Sequence, residues 1–169
     1  MNHKEFIKEI YPLKDKLFRL AKKMLISIEE AEDATQEVFS KLWNGRNNIK
    51  TYNSAEAFAM RMTKNYCLDV LKSKRANINT LSLVHTKNIS HTDKFIEYQD
   101  SLSYIEKMMN SLPETQKLIL HLRDIEEYEY SKIAVILEMN EASVRVAASR
   151  ARKEIREKRI FFFFFKFLK

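Results

Sequence analysis

Gly45, Pro12 and Pro113 are the only glycine and prolines in 169 residues, and this scarcity of breakers limits the fold more than any other feature. A strand-rich fold would need more turns than three such residues supply. Leu, Ile, Lys, Glu, Ala and Met are plentiful, so the sequence predicts an all-α protein. Hydrophobic residues make up 45% of the chain, enough to bury real cores, and the length suits one ordinary domain or two small ones.

Cys67 is the single cysteine, so it cannot form an intramolecular disulfide, and no CxxC or Cys/His cluster is present to hold zinc. His3, His85, His91 and His121 are scattered, and no metal or cofactor is expected. The N-terminal MNHKEFIKEIYPLKDK carries charges every few residues and lacks the apolar core of a signal peptide. No stretch approaches the ~20 apolar residues of a membrane span, so no membrane insertion is expected. A reducing, cytoplasmic setting follows. Without a GxxxxGK loop, HExxH or nucleophile elbow, the chain reads as neither an enzyme nor a binder of a small-molecule substrate. A net charge of +7 and a pI near 9.4 point instead to an acidic partner, which for a helical protein is most often nucleic acid.

Apolar residues recur at helical spacing from Phe6 to about Leu71, interrupted at Pro12, near Ser27 and at NGRNNIKTYNS, residues 44–54. This gives three or four helices in the first half, and Ser27 followed by Glu30 is a capping-box pattern that starts the one holding residues 31–43. ANINTLSLVHTKNISHTDKF, residues 76–95, has no sustained period and reads as a flexible linker. Periodicity returns near Phe95 and runs to about Lys158, with a helix start at Ser111, Pro113 and Glu114. The expected organisation is two small helical domains, 1–75 and 96–160, joined by that linker. A Phe-rich tail at 161–169 follows, with no role assigned.

Residues 130–159, YSKIAVILEMNEASVRVAASRARKEIREKR, have the pattern of a helix-turn-helix. The first helix buries Ile133, Ala134 and Leu137, and a turn falls at Glu138 to Asn140. The second helix buries Val144 and Ala148 and exposes Ser143, Arg145, Ser149, Arg150 and Arg152. From Asn140 to Ile160 there are seven basic and three acidic residues, against four and seven in 101–139. Positive charge is thus concentrated on the helix that would enter a groove. A non-glycine residue held left-handed at Glu138 would cost on the order of 1–2 kcal/mol.

In AEDATQEVFSKLW, residues 31–43, Ala31, Thr35, Val38 and Leu42 form a buried stripe flanked by Phe39 and Trp43. Asp33, Gln36, Glu37 and Ser40 lie on the opposite face, either solvated or available to a partner. In SAEAFAMRMTKNYCLDVLKSKR, residues 54–75, Arg61, Lys64, Lys72, Lys74 and Arg75 outnumber Glu56 and Asp69, with Asn65 and Tyr66 among them. Basic groups neutralise phosphates, and Asn and aromatic side chains hold unstacked bases. The polar loop with Arg46, Asn47, Asn48, Tyr52 and Asn53 could cradle a flipped base. Phe58, Met60 and Met62 read as core, and Tyr66 as core or base platform.

AEDATQEVFSKLW, then KNYCLDVLKSKR, then SLPETQKLIL, then SKIAVILEMNEASVRVAASRARKEI, in that order, closely resemble the extracytoplasmic-function group of bacterial RNA polymerase sigma factors. The likeness spans about Tyr11 to Lys158. It implies that Asp33, Gln36 and Glu37, with Ser40 beside them, dock on core RNA polymerase. It also implies that Arg46, Asn48, Asn53, Arg61, Lys64, Asn65, Lys72, Lys74 and Arg75 bind and melt the minus-ten element of promoter DNA. Ser143, Arg145, Ser149, Arg150 and Arg152 would read the upstream element, and an anti-sigma factor would be a regulatory partner. Two departures stand out. The family's usual Gly-Thr-Val-Lys at the start of the recognition helix appears as Ala142, Ser143, Val144 and Arg145, and a frequent Arg is Ala147. Arg145 can contact guanine or phosphate. Two other readings are a helix-turn-helix regulator that binds operator DNA without polymerase, and an adaptor that binds only proteins.

Overall fold

The structure, a computed structural model, describes residues 1–25, 27–49, 54–81 and 111–166, and of 76–81 and 159–166 the backbone alone. Every element among the described residues is helical, as the shortage of breakers requires. The chain divides into two compact units. One comprises Met1–Lys87 with Val135–Glu138, the other Asn88–Ala134 with Met139–Lys169.

The first unit opens with α1 (His3–Glu9), started by a capping box: Asn2 Oδ1 accepts from the Glu5 N–H at 2.8 Å and Glu5 returns to the Asn2 N–H at 2.9 Å. Pro12 cannot donate within a helix, and the chain breaks there into a 3-10 turn, Tyr11–Leu13, before α2 (Lys14–Met24). Next come α3 (Ile28–Asn44), the short α4 (Arg46–Ile49) and α5 (Ala55–Leu81). Ser27 starts α3 as predicted, its Oγ accepting from the Glu30 N–H at 3.3 Å. The Glu30 carboxylate turns away from the cap and accepts from Lys74 on α5.

Helices α2, α3 and α5 pack pairwise. Small Ala21, Ala31, Ala34 and Cys67 form a buried cluster with Leu25, and Phe18, Met24, Tyr66, Val70 and Leu71 pack against it. Thr35 and Thr63 are buried in this packing because each hydroxyl donates to the carbonyl one turn back, Ala31 O at 2.7 Å and Ala59 O at 3.0 Å. Burial pushes the Cys67 thiol up to about 12, which keeps it protonated and unreactive. At the far end of α3, Phe6 and His3 meet Trp43 edge-on at 5.1 and 5.6 Å, and Tyr11 and Phe6 meet Phe39 at 6.5 Å. These rings seat α1 and the Pro12 turn on α3.

The buried stripe of α3 is the predicted one, Ala31, Thr35, Val38 and Leu42, with Ala34 added. α5 runs six residues past Arg75, so the first part of the segment read as linker is helical. ANINTL contains no Gly or Pro, and the cost of its Asn and Thr residues, at most about 0.7 kcal/mol each, does not stop a helix already propagating. Residues 82–95 of the expected linker, and the return of periodicity near Phe95, lie outside the described residues.

In the second unit α6 (Glu114–Leu120) begins where expected, the Gln116 and Lys117 N–H groups donating to the Pro113 carbonyl at 2.9 and 3.1 Å. It runs into a turn of π-helix, His121–Ile125, closed by the Glu126 N–H on His121 O at 3.1 Å. Glu127 then takes a left-handed conformation, φ 58°. Inside this turn His121 Nε2 and Glu126 Oε1 are 3.8 Å apart, both side chains buried. α7 (Tyr130–Leu137) and α8 (Glu141–Lys166) follow. α8 packs on α6 through Leu112, Leu120, Ala151 and Ile155.

Candidate functional site

Residues 130–159 form two helices and a tight turn, as the pattern predicted. Ile133 and Ala134 are buried on α7, and Val144, Ala148 and Ala151 on α8. Ile136 takes the fully buried place expected of Leu137, which is half-buried. The two are neighbours on the apolar side of α7, and spacing alone does not separate them. Glu138 adopts φ 58°, the left-handed state the turn demands, and the Met139 N–H donates to Ala134 O at 3.0 Å. Asn140 caps α8, its Oδ1 accepting from the Ser143 N–H at 2.7 Å. Replacing Asn140 with Ala is expected to lower stability by about 1 kcal/mol, read as a lower thermal midpoint, whereas Asn140→Asp should leave it nearly unchanged.

The candidate readers on α8 fall into two groups. Ser143, Arg145, Ser149 and Arg150 are exposed. Arg152 is half-buried and engaged within its own unit, donating to Tyr130 Oη at 2.9 Å and to Asp124 Oδ1 at 2.5 Å. The Tyr130 hydroxyl, then Asp124, push the pKa of the Arg152 guanidinium up. Arg145 lies over the Tyr130 ring, 4.7 Å from its centroid, and donates to Glu141 Oε1 at 2.5 and 2.9 Å. Neither engagement was visible in the sequence, because Tyr130 reads there only as the first residue of a helix.

On α5, Arg61, Asn65, Lys72 and Arg75 share one stripe at 4-7-3 spacing. Asn65, Lys72 and Arg75 are exposed and Arg61 is half-buried over the Phe58 ring at 5.7 Å. Leu68 lies on the same stripe with 39% of its surface exposed, an apolar residue the sequence reading passed over although its spacing marks it. Lys64 is buried, and Lys74 is off the stripe in its ion pair with Glu30. Tyr66 packs into the core beneath Lys41, whose Nζ is 4.6 Å from the ring centroid. Its hydroxyl pKa is raised by burial first, then by Glu37 and Asp33. Arg46 caps the end of α3, donating to the Trp43 carbonyl at 3.0 Å with its guanidinium 4.3 Å from the Trp43 ring centroid. Asn48 is exposed on α4. Asn53, with Tyr52 and the rest of residues 50–53, lies outside the described residues.

Asp33, Gln36, Glu37 and Ser40 are all exposed, together on the face of α3 opposite the core. Glu37 and Lys41 are 3.6 Å apart, a solvated pair of little energetic consequence. Among the described residues no group of His, Cys, Asp and Glu is arranged to hold a metal ion, and no helix is long and apolar enough to cross a membrane.

The geometry is that of two helical units, one ending in a basic helix-turn-helix and the other presenting an acidic helix face. Residues 12–77 match the Sigma-70 region 2 family and residues 102–155 match Sigma-70, region 4, together well over half of the chain. The chain belongs to the sigma-70 family. This sigma factor is similar to the ECF RNA polymerase sigma factor SigW of Bacillus subtilis, 22% identical over 163 residues, 89% of this chain and 86% of that one. It is also similar to the ECF sigma factor SigE of Mycolicibacterium smegmatis, 28% identical over 148 residues, covering 85% of this chain and 57% of that protein's length. These relatives place it in the extracytoplasmic-function group. Its fold is shared with the sigma factor RpoE of Bartonella quintana, solved in complex with the anti-sigma factor NepR, at a TM-score of 0.73 and 18% identity over 92% of this chain and 96% of that one. CnrH, solved with the cytosolic domain of CnrY, gives 0.67 and 16% over 92% and 88%. A sigma factor directs transcription initiation by RNA polymerase at promoter DNA, so the operator-binding regulator is set aside.

Proposed function

We propose that this sigma factor divides its work among three surfaces. The exposed face of Asp33, Gln36, Glu37 and Ser40 docks on core polymerase. The stripe of Arg61, Asn65, Lys72 and Arg75, with Lys64, Lys74, Arg46, Asn48 and Asn53 around it, binds and opens the minus-ten element. The exposed residues of α8, Ser143, Arg145, Ser149 and Arg150 with Arg152 behind them, read the upstream element in the major groove. The domains are 1–75, extended by the helical residues to Leu81, and 96–160, with a linker between them.

One observation carries this assignment. In a chain of net charge +7, the face of α3 turned away from the core is acidic and polar, while the exposed faces of α5 and α8 are basic. An acidic face repels DNA and suits a basic protein surface, whereas the basic faces suit phosphate. Exposed Leu68 adds an apolar contact for an unstacked base. The chain itself performs no catalysis and works in the cytoplasm. An anti-sigma partner, of the kind bound to the Bartonella quintana relative, would cover these faces when transcription is not required.

The test is run-off transcription by purified core polymerase and this chain on a promoter library, with permanganate probing of unpaired thymines. Substituting Arg61 and Lys72 together by Ala should reduce thymine reactivity in the minus-ten segment at least about tenfold, two charge-assisted contacts at 1 kcal/mol or more each. Polymerase binding should be unchanged. Undiminished reactivity would move strand opening away from α5.

A further inference from the structure

Three arginines converge on one tyrosine beside the turn. Arg123, at the π-helical end of α6, places its guanidinium 5.0 Å from the Tyr130 ring centroid, and Arg145 of α8 lies 4.7 Å from it. Arg152, two turns further along α8, donates to the Tyr130 hydroxyl at 2.9 Å. Each arginine is also tied elsewhere: Arg123 to the Tyr128 carbonyl at 2.9 Å, Arg145 to Glu141, and Arg152 to Asp124 at 2.5 Å.

Positions 145 and 152 are seven apart and so lie on one stripe of α8. The stripe faces Tyr130 at two heights, ring face to Arg145 and hydroxyl to Arg152. The Arg152 side chain, bonded at both ends of its guanidinium, cannot reach a base without breaking two hydrogen bonds. Arg145 is the more exposed, with 59% of its side chain accessible. Its hold, two hydrogen bonds to Glu141 one turn back on the exposed side of α8 and a cation–π contact, orients the side chain yet, being open to solvent, can be exchanged for a base edge.

We infer that Tyr130 is a positioning residue for promoter recognition: its ring sets the direction in which Arg145 leaves α8, and Arg152 fixes the ring rather than reading DNA. The inference rests on the proposal that α8 reads the upstream element. It narrows that proposal by moving Arg152 from reader to brace and by adding a residue that no sequence motif marked.

The experiment is transcription by core polymerase with the full chain on promoters randomised across the upstream element, scoring base preference position by position. Arg145→Ala should flatten preference at one position. Tyr130→Leu should weaken preference at that same position roughly two- to fivefold, the factor carried by a half-exposed cation–π contact. Tyr130→Phe, which keeps the ring but loses the hydroxyl that Arg152 holds, should fall between the native chain and Tyr130→Leu. Tyr130→Met fills similar space without a π face and replaces the Leu variant if that one fails to fold. A structural defect would lower transcription from every promoter alike and leave the profile's shape intact. If Arg145→Ala flattens a position that Tyr130→Leu and Tyr130→Met leave sharp, the positioning role is refuted while the reading by α8 stands. If Arg145→Ala changes no position, Arg145 is not a reader, and both statements fall.

Discussion

Reversing two charges on α3, Asp33→Lys together with Glu37→Lys, is expected to abolish promoter-dependent transcription while leaving the fold intact. Both side chains are exposed on the side of α3 away from Ala31, Thr35 and Val38, so neither substitution touches the core, and the lost Glu37–Lys41 pair is worth a few tenths of a kcal/mol at most. Placing like charges against a basic docking surface costs several kcal/mol, which lowers affinity for core polymerase by about a hundredfold or more. Competition binding to core polymerase and run-off transcription measure this directly, with circular dichroism as the control. Native levels of both in the double variant would mean that polymerase is held elsewhere.

The second large effect is expected at Ala148, buried on α8 with no accessible surface. An Asp there puts an unpaired carboxylate into an apolar interface, at a cost of at least about 3 kcal/mol. That is enough to disrupt the helix-turn-helix of a small unit. The core of the first unit, built on Ala21, Ala31, Ala34 and Cys67, takes nothing from Ala148. The variant should therefore lose upstream-element recognition and part of its helical signal yet still compete for core polymerase. Transcription within twofold of native would show that the second unit does not read the promoter.

Much of this was legible because a chain almost without breakers leaves periodicity as the dominant signal. The stripe of α3, the break at Pro12, the start at Pro113 and the helix-turn-helix all follow from apolar spacing and a few caps. The left-handed turn at Glu138 was legible too, since the geometry demanded it although glycine was absent. Longer-range facts were hidden. The meeting of Phe6 and His3 with Phe39 and Trp43 joins residues more than thirty positions apart, and no local pattern announces it. The π turn at His121–Ile125 looks in sequence like more α-helix. Among the candidate readers, helical spacing gave the exposed face of α8 but could not distinguish Arg145 from Arg152, because the difference lies in Tyr130 and Asp124 on neighbouring elements. Likewise Arg46 and Lys74 read as cations for DNA; Arg46 turns back on Trp43 three residues before it, and the Lys74 pair with Glu30 depends on how α3 and α5 pack.

Ala31 and Ala34 let α3 sit close against its neighbours, so the distance between those backbones is set by methyl groups. A larger side chain at either place would displace α3 outward and shift Asp33, Gln36 and Glu37 with it. If α3 docks on core polymerase as proposed, the ranking of factors that compete for one pool of polymerase is then adjustable from inside the protein. On that proposal a lineage could change its share of the enzyme without altering a single residue that the enzyme touches.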